Sequence, residues 1–127
     1  MRVRFELEYP LKCSPRVLFP RISTADGLAE WFADDVTADG DLFTFVWNRV
    51  PSTARLTHFR ENRAVRFKWA DEEIASEDNW FEFRLTSEEL SDDVALIISD
   101  SCEEEEKDDT VSLWDTEVQR LKTALGL

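Results

Sequence analysis

The sequence predicts an α+β domain, a curved antiparallel sheet closed by a long C-terminal helix, and three observations carry that expectation. Arg2 to Tyr9 alternates strictly, with Val3, Phe5, Leu7 and Tyr9 on one face and Arg2, Arg4, Glu6 and Glu8 on the other, as a half-buried antiparallel strand does. From Asp109 onward Val111, Trp114, Val118, Leu121 and Leu125 recur at steps of three and four, which makes one apolar helical stripe that must be buried against something. Between these ends the chain reads as two short helices followed by a run of short strands. That segregated order belongs to α+β architecture rather than to a parallel sheet with alternating helices.

After the first strand, Ser14 followed by Pro15 reads as an N-cap with proline in the first helical turn, opening a short helix through Val17, Leu18, Phe19 and Ile22. Pro20 makes that helix brief or irregular. Thr24 and Asp26 cap a second short helix, in which Leu28, Trp31 and Phe32 share a side. Ala33 to Val36 is a short strand or extended edge, and Asp39-Gly40-Asp41 is a turn. Leu42 to Trp47 then places Phe43, Phe45 and Trp47 on one face. Thr53 to Phe59 is a less regular strand, Glu61-Asn62-Arg63 turns, and Val65, Phe67 and Trp69 alternate with Arg66 and Lys68.

The polar stretch Ala70 to Asn79 is a connection, followed by a strand from Trp80 to Leu85 that opposes Phe81 and Phe83 to Glu82 and Arg84. Ser87 to Asp93 turns, and Val94 to Ile98, apolar on both faces, suits a central strand. The acidic run from Glu103 to Asp109 precedes the last helix, where the helix dipole favours negative charge. Arg120 and Lys122 stand near its end and Gly126 follows as a stop signal. Ser112, Asp115, Glu117, Gln119, Arg120 and Lys122 fall off the apolar stripe. The order is one strand, two short helices, six more strands and the long helix, all within one domain over residues 1–127.

Composition narrows the function classes. With 28 acidic residues against 15 basic ones the net charge is −13, a field that repels phosphate backbones and anionic lipid headgroups. Nucleic acid and membrane insertion are therefore poor expectations, and the N-terminus carries no apolar export segment, so a cytoplasmic protein is expected. Nine Phe and five Trp against one Tyr supply enough aromatic surface both to fill a core and to line a pocket. There is no phosphate-binding loop, no nucleophile elbow and no HExxH, and the acidic runs lack the spacing of a calcium loop. Neither a cofactor nor a metal site is expected.

Two motifs carry a family resemblance. The run Thr24-Ala25-Asp26-Gly27-Leu28-Ala29-Glu30-Trp31-Phe32 is similar to the "GL-x-x-WF" segment of helix-grip proteins. Glu61-Asn62-Arg63-Ala64-Val65-Arg66-Phe67-Lys68-Trp69 resembles their loop-then-"V-x-F-x-W" strand. Together with the element order these most resemble the START-like, Aha-type branch of the SRPBCC superfamily, across essentially the whole chain. The resemblance implies a helix-grip (START/Bet-v-like) fold: a seven-stranded curved antiparallel sheet around the long C-terminal helix, with a cavity between them. It also places the last strand beside the first, so that Cys13 and Cys102 lie at opposite ends of the pair, too far apart to bridge.

The functional expectation is a non-enzymatic domain that binds a small hydrophobic or amphipathic molecule, such as a lipid, in that cavity. Its lining would come from Trp31, Phe43, Phe45, Trp47, Leu56, Phe67, Trp69, Phe83, Trp114, Val118 and Leu121. His58, the only histidine, reaches the cavity if Leu56 points inward and faces solvent if Thr57 and Phe59 do; the pattern leaves both registers open. Glu82 and Arg84 read as an exposed ion-pairing surface. Gly27 reads as a site of close packing rather than of substrate contact. Two other readings compete. One is a protein-interaction or co-chaperone-like domain with a filled core, meeting a partner or a second copy of itself. The other is a cyclase- or hydrolase-like enzyme using His58.

Overall fold

The computed structural model describes residues 1–70, 77–87 and 93–127. The connection expected over Ala70–Asn79 and the turn expected over Ser87–Asp93 lie largely outside the described residues. In chain order the elements are β1 (Arg2–Leu11), α1 (Pro15–Ser23), α2 (Ala25–Leu28), β2 (Asp35–Asp39), β3 (Leu42–Trp47), β4 (Val50–Arg60), β5 (Ala64–Trp69), β6 (Trp80–Ser87) and β7 (Val94–Glu103). A 3₁₀ turn (Glu104–Glu106) then leads into α3 (Lys107–Leu125). All neighbouring strands pair antiparallel in one curved sheet of order β1-β7-β6-β5-β4-β3-β2, so the two strands flanking α1 and α2 form its opposite edges.

Local chemistry accounts for the boundaries. Ser14 Oγ accepts from the Val17 amide at 3.3 Å and Thr24 Oγ1 from the Gly27 amide at 3.0 Å, the two N-caps expected from sequence. Gly27 packs so tightly over α1 that a Cβ there would overlap the Pro20 carbonyl and lie 2.7 Å from Arg21 Cα. Gly40 takes a φ of +60° in the tight β2–β3 turn, and Gly126 takes +76° to end α3. β2 begins at Asp35 rather than Ala33, because Trp31, Phe32 and Ala33 are themselves buried beneath the sheet and leave the strand to start only after them. β4 and β7 extend beyond their sequence-based limits, and α3 starts two residues before Asp109, at Lys107.

The register of β4 is settled by a bulge. Its pairing with β5 shifts between Leu56 and His58, so the alternation does not run through this point. Leu56 is half-buried, whereas Thr57, His58 and Phe59 are all exposed. Neither regular register holds, and the placement of His58 in a cavity is corrected accordingly: its ring lies beside the Thr57 hydroxyl at 3.1 Å, out in solvent.

The outer face of the sheet also departs from expectation at one point. Glu82 is only 9% exposed, not a surface residue. It is covered by Arg66, which approaches its carboxylate at 2.8 Å, and by Arg84 at 3.2 Å, while Trp80 is packed by the Arg4 and Arg66 guanidinium groups at 3.4 and 3.9 Å from its ring centre. The ion pairing was legible, but the stacked arginines that shield it were not.

β1 and β7 pair from Arg2↔Glu103 to Leu11↔Val94, with Cys102 opposite Val3. Cys13 follows the other end of β1, so the two thiols sit at opposite ends of the strand pair and both are free.

Candidate functional site: a tryptophan-walled cleft under the C-terminal helix

The space between sheet and helix is mostly filled. Phe32 sits at its centre with its ring 5.2 Å from those of Phe45 and Trp47, 5.4 Å from Phe81, 5.8 Å from Phe83 and 5.5 Å from Trp114. Of the residues expected to line a cavity, Trp31, Phe43, Phe45, Phe67, Phe83, Val118 and Leu121 are buried in this packed core, and Leu56 is half-buried beside it. Trp31 is further pinned by its indole N–H, which donates to the Arg21 carbonyl at 2.7 Å. These side chains form the wall behind the site and not its surface.

What remains open is a cleft of about 380 Å³ between the first half of α3 and the concave face of the sheet. Its walls are Trp47 of β3, Trp69 of β5, Trp114 and Leu113 of α3 and the edge of Phe32, with Asn48 and Thr110 at the rim. Each wall is positioned by local chemistry. Trp47 is held by its indole N–H, which donates to the Phe32 carbonyl at 2.8 Å. It ends β3 at a tight turn in which Asn48 and Arg49 both take positive φ, and the Asn48 amide donates to Asp34 at 2.8 Å. Trp69 packs on Trp47 with ring centres 6.1 Å apart. A second depression of about 440 Å³, lined by Arg2, Pro51, Ser52, Thr53 and Asn79, lies against the same two indoles.

Two carboxyl groups enter this apolar space, one from each side. Asp100 continues the inward-facing row of β7 after Val94, Leu96 and Ile98, and its Oδ2 accepts the Trp114 indole N–H at 2.9 Å. Its Oδ1 accepts the Ser101 amide at 2.8 Å. Burial raises the Asp100 pKa above the ordinary carboxylate range, against the opposing pull of those two hydrogen bonds and of Arg4 and Arg2. Glu117, 5% exposed, projects from α3 one turn after Trp114. Burial pushes its pKa up to about 8; Arg120 opposes the rise and the nearby Asp100 carboxylate adds to it. Among the described residues no side chain donates a hydrogen bond to Glu117 and no cation pairs with it. Nor does any group of three or more His, Cys, Asp or Glu among them converge as a metal site.

Neither carboxyl was singled out from the sequence. Glu117 lies three residues after Trp114 and four before Leu121, the spacing of a shared helix face, yet its charge placed it off the apolar stripe. Asp100 lies two residues beyond Ile98 in strand alternation, which fixes its inward direction once β7 is known to continue past Ile98.

Comparison with known proteins gives a consistent fold. A family model described as a START-like superfamily domain matches residues 1–127. A solution structure from Bacteroides fragilis is 35% identical, covering 97% of this chain and 90% of that one, with a TM-score of 0.68. The Aha1 dimer from Colwellia psychrerythraea is 20% identical over 97% of this chain and 96% of its own, with a TM-score of 0.79. DynU16, from the dynemicin biosynthetic locus, is 16% identical over 97% of this chain and 47% of its own, also with a TM-score of 0.79. No curated protein matches the sequence.

Proposed function

Because the chain belongs to the START-like superfamily, we propose that it is a non-enzymatic cytoplasmic domain binding a small amphipathic molecule in the cleft walled by Trp47, Trp69 and Trp114. The observation that carries this reading is the cleft itself: Trp47 and Trp69, left partly uncovered, and the buried Trp114 around about 380 Å³, beside an otherwise closely packed aromatic core. Binding sites for small molecules typically run from about 300 to 1,000 Å³, with apolar walls and a few polar groups, so this one suits a compact ligand rather than a long lipid chain. START-like domains are frequently small-ligand binders, and this cleft lies where sheet and C-terminal helix face each other. The expected ligand space is thus smaller and more lateral than a cavity running through the domain.

Native mass spectrometry of gently purified protein, combined with a tryptophan-fluorescence titration against octan-1-ol, tests the reading. A retained adduct or a saturable fluorescence change, abolished by Thr110→Trp at the rim, is the expected result. No adduct and no saturable response would overturn it.

Self-association is a second reading. Phe59 is 55% exposed although its ring packs edge-on against Phe19 of α1, and Val17 on the same helix is 54% exposed. The Colwellia relative is described as a dimer. Light scattering separates the two readings: a dimer dissociated by Phe59→Ser favours self-association through this surface, and a monomer at all concentrations removes it.

A further inference from the structure

Glu117 is hard to explain as part of a fold. Glu117 is 5% exposed and, among the described residues, accepts no side-chain hydrogen bond and forms no ion pair, with Arg120 acting on it only from a distance, so its ionised form is less favourably placed than in water; a leucine or methionine at this position on α3 would carry no such penalty. Asp100 enters the same cleft from the facing strand, held by hydrogen bonds from the Trp114 indole and the Ser101 amide rather than from a basic side chain. Two acidic groups therefore converge on one cleft, and among the described residues its lining contains no Lys, Arg or His. Of the remaining lining, Trp47, Trp69, Trp114 and Phe32 are aromatic, and the negative quadrupole of an aromatic ring attracts cations. The carboxyls and the rings of the site both favour positive charge and disfavour an anion.

We propose that the cleft binds an organic ammonium: an amphipathic cation whose charged nitrogen is met by Asp100 and Glu117 while its substituents lie against Trp47, Trp69 and Trp114. This rests on the ligand-binding reading and specifies its chemistry. The overall charge of −13 concentrates cations around the molecule and steers them toward such a site.

The cation also resolves the electrostatics of the cleft. With Glu117 protonated near neutrality, the two carboxyls avoid placing two negative charges in one cleft. An arriving ammonium favours the ionised form, so Glu117 releases its proton to solvent as the ligand enters. The charged groups acting on Glu117 are Asp100 from β7, which disfavours its ionisation, and Arg120 from α3 itself, which favours it. Arg4 and Arg2 act on Asp100 from the other side of the sheet. A permanently charged ligand should thus bind more tightly as pH rises through about 8, with proton release below that value.

Octyltrimethylammonium, octan-1-ol and octanoate share one chain and differ in head charge, so parallel fluorescence and calorimetric titrations of the three isolate the head-group preference. The cation is expected to bind roughly tenfold or more tighter than the alcohol, and the anion weakest. Glu117→Gln, nearly the same shape, should remove most of that advantage together with the pH dependence and the proton release, so that the affinity for the cation falls far more than that for octan-1-ol. Asp100→Asn, which keeps an acceptor for the Trp114 indole, should also weaken the cation selectively. Equal or tighter binding of octan-1-ol or octanoate, or a cation affinity indifferent to both substitutions, would overturn the ammonium assignment and leave the ligand-binding reading standing. Binding of none of the three would remove both.

Discussion

At the scale of single residues, Glu117 is the position where stability and function pull in opposite directions. Its folded-state pKa, about 8, lies above the value of 4.5 expected when the chain is unfolded. Between those pH values the folded protein holds a proton that the unfolded chain has lost, so stability falls as pH rises across that window, on the order of 5 kcal/mol in total. The raised pKa of Asp100 acts in the same direction. Glu117→Gln should flatten the decline, leaving the variant more stable than the parent at pH 8.5 and little changed at pH 5; urea titrations at the two pH values measure this. Gly27 is the opposite kind of residue, fixed by packing. Gly27→Ala drives a methyl into the Pro20 carbonyl, and a loss on the order of 3 kcal/mol or more is expected in thermal unfolding. The first effect was not readable from sequence, because an acidic residue near an apolar stripe is normally solvated. The second was, because a glycine inside a short helix weakens it and is retained where another backbone must come close.

At the scale of elements, the strands and α3 were legible because each buries one face and its period follows from that requirement. Where two-sided periodicity fails, so did the reading. The bulge in β4 after Leu56 breaks alternation and carries Thr57, His58 and Phe59 all into solvent, an outcome that neither regular register contains. The enzyme reading that depended on His58 in the cavity loses its candidate residue for the same reason. The grip of α3 on the sheet rests on its buried stripe, of which Leu121 is fully covered. Leu121→Ala should cost about 2–5 kcal/mol by leaving a cavity in the packed core. The pairing of β1 with β7 makes a further prediction: Cys13 and Cys102 should both react with a maleimide in unreduced, denatured protein, and labelling that requires prior reduction would contradict the strand placement.

At the scale of the whole molecule, the sequence motifs specify a helix-grip frame, and the frame concentrates its aromatic residues at one interface. Whether that interface is full or open depends on strand curvature and on the direction of individual rings, neither of which periodicity reports. The outcome is a division of labour among the aromatics. Phe32, Phe45, Phe67, Phe81 and Phe83 close the core, and Trp47, Trp69 and Trp114 stand at its edge around Asp100 and Glu117. The five indole N–H groups sample this division: Trp31 reports the buried core, Trp80 the arginine-packed outer face and the other three the cleft. A two-dimensional ¹⁵N–¹H spectrum recorded through a titration with octyltrimethylammonium therefore tests the ligand site directly. Saturable shifts of the Trp47, Trp69 and Trp114 indole signals, with Trp31 and Trp80 stationary, are predicted; unmoved cleft signals, or shifts confined to Trp31 or Trp80, would contradict the assignment of the cleft as the binding site.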